Sequence, residues 1–349
     1  MARATSKVIT VLVAFAVSYV TFRNVDWRAA LESIRSLGAG ACWLLVPSLV
    51  AVFAEARAWQ SSVRVFAGRP STLRLAHVRV VTESLGTVLP FGALWAEAVK
   101  PYLLRRHCGF SLAHSLTAIA ARKYLLIITQ GAYVLIGLSL GHHALGRASQ
   151  SLAGSQALLL WLVPLSALFL LGLAEGMALS LGGGRALSRV LDALSKIRID
   201  RLKEALDRVR RDLERTDEHA VLFFGTTQRL ALGPLALTLL GWMMEAVETW
   251  LILSLLGQNL DFGSALAVEA TVVFVRHLLF MLPAGLGAQE LGYAALFGAL
   301  GVGLEASAAF ALLKRGRELV WAAAGYVLFL ADTANTSRAT RSQAPVPAH

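Results

Sequence analysis

The sequence predicts an all-α polytopic membrane protein with about six spanning helices and two opposed re-entrant helical hairpins in an inverted repeat. Three observations carry this expectation. The 349 residues are 56% hydrophobic and only 16% charged, with a mean hydropathy of +0.61, a balance suited to lipid as the solvent. Apolar runs near the roughly 20 residues that cross a bilayer lie at 8–22, 40–61, 111–140, 157–181, 230–256 and 306–331, and two further runs, 80–104 and 264–301, are broken near the middle by Pro and Gly. Finally, an ungapped shift of 193 residues lays Pro90 on Pro283, Gly92 on Gly285, Glu55 on Glu248, Glu97 on Glu290, Arg122 on Arg315 and Tyr133 on Tyr326. Charged residues are few inside these spans, so their coincidence at one offset is stronger evidence than matching leucines.

Residues 1–39 form an N-terminal anchor helix and an external loop. Arg3 and Lys7 precede Val8–Phe22, and Ala14-Phe15-Ala16 imitates a signal cleavage site, but the apolar run continues through Val17 and Val20, so an uncleaved anchor is expected. Residues 40–140 are the first repeat, a span, the broken hairpin 80–104 and a second span; 141–184 hold a linking span. In 185–228, leucines and valines at helical spacing stand opposite ten basic and eight acidic residues within 185–219, the pattern of an amphipathic helix lying on the cytoplasmic headgroups. Residues 229–331 repeat the first unit with hairpin 264–301, and 332–349 read as a disordered cytoplasmic tail.

Charge sets the orientation. With the N-terminus inside, the inner segments carry 21 Lys and Arg, and the outer ones only Arg23, Arg28, Arg35 and Arg147, the positive-inside bias. Both termini are then cytoplasmic. The basic loops 62–79 and 100–107 fall on one side, so the stretch between them enters and leaves by the cytoplasmic face; 257–263 and 302–305 lack Lys and Arg, so the second hairpin enters from outside. An odd number of crossings separates the copies, which inverts them, and sites in such folds lie between the repeats near the membrane midplane.

Irregular backbone at membrane depth is tolerated where protein buries it or water lines it. Pro90 and Pro283 break the helices, and Gly92, Gly285 and Gly287 let the chain turn back so that the next helix starts inside the membrane. A helix start there attracts anions. Each unpaired charge at mid-bilayer costs about 2.5–3.5 kcal/mol on insertion scales, so Glu97, Lys100, Arg122, Lys123, Glu290, Arg315 and Arg317 must pair or line a hydrated path, with Glu97 and Glu290 expected to hold Arg122 and Arg315, each 25 residues on. One alternative is a purely structural set of ion pairs, such as Lys314 with Glu318 one turn apart. Glu83 and Arg276 occupy matching places with opposite charge and are expected to pair between the halves.

The net charge of +11 does not point to nucleic acid, because the basic residues lie between spans without interleaved aromatics. Cys42 and Cys108 stand apart, the eight histidines are scattered, and neither metal-ligand spacing nor a Walker motif occurs, so no cofactor, metal or ATP-driven step is expected.

The stretches "LPFGALWAEAVKPYLLRR" (89–106), "LPAGLGAQELGYAALF" (282–297) and "LLKRGRELVWAAAGYVLF" (312–329) resemble the flippase-like membrane family named after the transmembrane region of lysylphosphatidylglycerol synthase. The likeness covers about residues 8–331, and the "GLGAQE" motif looks most like the hopanoid-biosynthesis-associated branch. Trp95-Ala96 depart from that branch, which has paired glycines there. No soluble aminoacyltransferase domain follows residue 331, so synthase activity is not expected. The resemblance implies lipid handling in a bacterial inner membrane. The leading expectation is a transporter that moves an envelope lipid, an isoprenoid or phospholipid with an anionic head, between leaflets. A membrane-embedded transferase or phosphatase, and a non-transporting subunit that assembles with lipid-biosynthesis enzymes, stay open beside it.

Overall fold

A computed structural model describes residues 19, 21–88, 92–184, 212, 214–278 and 287–342. The described elements are α1 (Trp27–Ser36), a 3-10 segment (Gly38–Leu44), α2 (Leu45–Val63), α3 (Thr72–Val88), α4 (Gly92–Cys108), α5 (Leu112–Ala153), α6 (Ala157–Gly182), a 3-10 turn (Thr227–Leu230), α7 (Leu232–Leu255), α8 (Phe262–Leu278), α9 (Ala288–Ala299) and α10 (Leu304–Ser342). The fold is all-α, without strands among the described residues. Four helical stretches there are long and apolar enough to cross a membrane: Gly38–Val63, Leu112–Ala153, Ala157–Gly182 and Leu232–Leu255. Helix α6 shows why: Trp161, Leu165, Phe169 and Leu179 stay exposed, an apolar exterior in a segment whose backbone satisfies its own hydrogen bonds.

Helices related by the 193-residue shift have the same neighbours. As α3 packs on α2 and α4, so α8 packs on α7 and α9; as α5 meets α4, so α10 meets α9. The halves join where α2 lies against α7, α3 against α10 and α8 against α5. A glycine permits each of these approaches. A Cβ on Gly325 of α10 would stand 2.5 Å from the Ser84 Cβ and the Val80 carbonyl oxygen, one on Gly141 of α5 would be 2.3 Å from the Ala267 Cβ, and one on Gly241 of α7 would be 2.9 Å from Glu55. At Gly325 and Gly141 the atoms met are backbone and Cβ, so a side chain there would force the helices apart, whereas at Gly241 the flexible Glu55 side chain would have to move.

The elements depart from the sequence reading in three places. Helix α5 is two helical segments that meet at a kink at Gly141 (φ −112°, ψ 17°), so the first ends where the span was expected to end, at 140, and a second segment beginning with polar His142 and His143 runs on to Ala153. Residues 332–342, expected as disordered tail, continue α10, and no Pro or Gly stands between Gly325 and Pro345 to stop it. The region 1–39 carries helix α1, capped by Asp26, whose side chain accepts from the Arg28 and Ala29 N–H groups. Most of the first expected span and of the amphipathic stretch 185–219 lies outside the described residues. In the loop before α8, Asp261 accepts from the Ser264 N–H at 2.9 Å and its hydroxyl at 2.6 Å; these bonds hold its carboxyl below the usual range and mark the helix start.

Candidate functional site

Helices α2, α3, α4 and α5 bring one set of charges together. Arg122 on α5 donates to Glu55 of α2 at 3.3 Å and to Glu83 of α3 at 3.0 Å. Arg79, one turn before Glu83, reaches the same two carboxylates at 3.1 and 2.8 Å and donates to the Ala51 carbonyl at 2.8 Å. The Arg122 guanidinium also lies 5.5 Å from the Trp59 ring, a cation–π distance. On α4, Glu97 takes Lys100 at 2.8 Å and Lys123 at 2.6 Å. This corrects the expectation that Glu97 partners Arg122. Neighbouring residues on a helix point about 100° apart, so Lys123 faces α4 while Arg122 turns to α2 and α3. Glu83 pairs with Arg79 and Arg122, and the side chain of its expected partner Arg276 lies outside the described residues.

The second set builds on α7 to α10. Glu290 opens α9, after Gly287 at φ +81°, a conformation in which only glycine is unstrained. One Glu290 oxygen accepts the Gly287 N–H at 2.9 Å and the other takes Arg315 at 2.6 Å; Arg315 also holds Glu318 at 2.6 Å. The anion at this helix start is therefore the chain's own carboxylate, in the favourable place for a negative charge. Arg317 pairs with Glu248 at 2.8 Å and faces Glu245 at 3.9 Å. Lys314 does not take Glu318 one turn along its helix. It donates to Glu269 of α8, to Tyr293 of α9 at 2.8 Å and to Thr249 of α7 at 3.2 Å, and Tyr293 and Thr249 themselves donate to Glu269. Side-chain exposure is 3% for Lys314 and 2% for Glu269.

Between the halves is a cleft of about 140 Å³, walled by Ser48, Arg79 and Glu83 on one side and by Glu245, Arg317, Glu318 and Trp321 on the other. The Trp321 indole N–H donates to the Ser48 hydroxyl at 2.8 Å, and the Ser84 hydroxyl donates to the Ala322 carbonyl at 2.6 Å, so hydrogen bonds cross the same boundary. Of the sequence-predicted residues, Glu97, Lys100 and Lys123 form one cluster, Arg122 joins Glu55, Glu83 and Arg79 in a second, and Gly287, Glu290 and Arg315 form a third, with Arg317 at the cleft. Gly92 is the first residue of α4, while Pro90, Pro283 and Gly285 lie outside the described residues. Sequence reasoning missed Thr249 and Tyr293, unremarkable residue types in a membrane helix, and the meeting of His77, His107 and Asp332.

Fold and site together define a multi-pass helical membrane protein whose charges are gathered inside, between two packed halves, behind an apolar exterior. The model of the family described as the lysylphosphatidylglycerol synthase TM region matches residues 7–325, and the chain belongs to that family. It is a membrane protein related to lipid handling. No curated protein matches the chain.

Proposed function

We propose that this protein moves an envelope lipid with an anionic head between the leaflets of the bacterial inner membrane, without ATP, and that it is not an enzyme. The observation that carries this reading is the cleft between the halves, where acidic and basic side chains from both meet while the outside stays apolar. A lipid needs that combination, a polar route for the head beside an apolar surface for the tails. An anionic head suits the first half, where four cations, Arg79, Lys100, Arg122 and Lys123, share three carboxylates, Glu55, Glu83 and Glu97, while in the second half Lys314, Arg315 and Arg317 face five. Lys123 is the best placed to receive it, since 45% of its side chain is exposed. Ligand pockets for molecules of drug size run to about 300–1,000 Å³. The cleft is smaller, so the halves must part for a head to pass, and the residues expected to gate it are Glu97, Arg122, Glu290 and Arg315, with Pro90, Gly92, Pro283, Gly285 and Gly287 shaping the hairpins.

A re-entrant second hairpin fits the length of α9. Helix α9, bounded on both sides by described residues, has 12 residues, about 18 Å at 1.5 Å per residue, short of a hydrocarbon core of about 30 Å. Single cysteines in the flanks of the first hairpin, at Ser71 and Gly109, should both label from the cytoplasmic face, and those of the second, at Gln258 and Gly303, both from outside. Labelling of the two ends of one hairpin from opposite faces would overturn the re-entrant arrangement.

The function is tested with purified protein in liposomes carrying labelled anionic lipids in one leaflet. Protein-dependent redistribution without chemical change is the expected result. Product formation would favour a membrane-embedded transferase or phosphatase, and the absence of both would favour a subunit that assembles with lipid-biosynthesis enzymes.

A further inference from the structure

Three residues distant in sequence meet at the end of the bundle that carries the basic loops. His77 lies in the second turn of α3, His107 in the last turn of α4 and Asp332 on α10. The Nε2 atoms of the two imidazoles approach the same oxygen, Oδ2 of Asp332, at 2.8 and 3.0 Å. The rings are 4.4 Å apart and tilted by 47°, so their nitrogens converge on one point instead of stacking. A carboxylate offers about four lone-pair sites over two oxygens. Two ring nitrogens crowded on a single oxygen are arranged less like a spread hydrogen-bond pair than like ligands drawn to one centre. Arg106 adds a support, donating to the Asp332 carbonyl oxygen and so fixing the backbone from which the carboxylate hangs.

We propose that His77, His107 and Asp332 form a site for a divalent transition metal of the zinc type. All three ligand atoms lie within 4.8 Å of one another. Tetrahedral zinc with bonds of about 2.0–2.2 Å holds its ligand atoms about 3.3 Å apart, so to seat the ion the two distances above open by a few tenths of an ångström and the two ring nitrogens, within 4.8 Å of each other, settle at that separation. Two neutral imidazoles and one carboxylate leave one coordination position for water. The nitrogen ligands select against calcium and magnesium, which take oxygen, and the lack of a thiolate separates the site from cysteine-based zinc centres. The Arg106 guanidinium is a nearby charge that opposes a cation, and it bonds the Asp332 carbonyl oxygen.

The position gives the metal a role. His77 and His107 sit on the two helices of the first broken segment, near their basic-loop ends, while Asp332 belongs to the last helix of the other half. A bound ion fastens both ends of that segment to α10 and resists the parting of the halves on this side.

The test uses the untagged full-length protein, stripped with a chelator and titrated with Zn²⁺ or Co²⁺ in detergent or nanodiscs. One ion per chain is expected, with the visible spectrum of four-coordinate Co²⁺, unaffected by excess Mg²⁺ or Ca²⁺. His77→Ala, His107→Ala and Asp332→Ala should each weaken binding at least about a hundredfold, at or beyond the 10–100-fold typical of losing a mere outer-shell partner, whereas a His142→Ala/His143→Ala chain should bind as before. Should an alanine variant fail to fold, the decisive comparison is the rise in melting temperature with Zn²⁺, present in the parent and lost in His107→Gln. Failure to bind one ion per chain, or binding that survives both histidine substitutions, overturns the site and leaves a hydrogen-bonded triad only.

Discussion

Lys314→Met should destabilise the protein by about 3–5 kcal/mol, the range for removing one partner of a buried ion pair. The ammonium group of Lys314 is surrounded by Glu269, Tyr293 and Thr249 and lies 4.9 Å from the Tyr293 ring and 5.6 Å from the Phe310 ring. Without it, Glu269 keeps only the two hydroxyls in a site closed to solvent. The companion change Glu269→Gln removes the stranded charge and leaves an acceptor for Tyr293 and Thr249, so the double variant Lys314→Met/Glu269→Gln should recover most of the loss. Denaturant unfolding in micelles of the parent, both single variants and the double variant completes the cycle. Additive losses would show that the two residues are not coupled.

This knot makes the halves unequal. Its four members come one each from α7, α8, α9 and α10, so it ties every helix of the second repeat. The equivalents at the 193-residue shift are Ala56, Ala76, Lys100 and Ala121, where three buried alanines leave no counterpart of the knot and Lys100 turns away to Glu97; the first half is tied instead by Arg122 to Glu55 and Glu83 and by Lys123 to Glu97. A variant that loosens the knot should therefore lose fold before it loses any selectivity for the lipid head.

The sequence made the long elements legible because apolar runs of spanning length have few alternatives in lipid. It also made Glu290 and Arg315 legible as partners, since an acid at a helix start and a base 25 residues on can meet when the chain turns back between α9 and α10. The same interval failed for Glu97 and Arg122. A repeat offset compares positions along the chain but not the rotation of each helix, and Lys123, which has a glycine as its counterpart at Gly316, offered the first half an alternative that the second lacks. Thr249 and Tyr293 were invisible for a different reason: a threonine hydroxyl in a helix can bond its own backbone and a tyrosine ring is at home in an apolar core, so only the three-dimensional meeting with Lys314 gives them a role. His77, His107 and Asp332 lie 30 and 225 residues apart, beyond any spacing rule.

Glu290→Gln should reduce lipid movement at least about tenfold, equivalent to about 1.4 kcal/mol of barrier, while leaving the protein folded. The geometry separates the two effects. A glutamine at this position still accepts the Gly287 N–H, as Gln does in a capping box, so the start of α9 is kept. Arg315 still has Glu318 at 2.6 Å, so no bare guanidinium is left in the interior. What is lost is the charge that competes with an incoming anionic head. In the parent, Arg315 can pass from Glu290 to the head and back without a stage in which it lacks a carboxylate, and such exchange avoids the cost of an unpaired charge in low dielectric. With glutamine present, the arginine binds the head without a strong rival and releases it slowly. Arg315→Ala should fail in the opposite sense, with weak binding of the anionic lipid, and should be the less stable variant, because Glu290 and Glu318 then lose the guanidinium they share. Lipid redistribution in liposomes and thermal unfolding, measured on the same preparations, distinguish these outcomes from a purely structural role. If Glu290→Gln lowers transport only in proportion to the folded fraction, the carboxylate serves to anchor α9 and Arg315, and the exchange account is wrong.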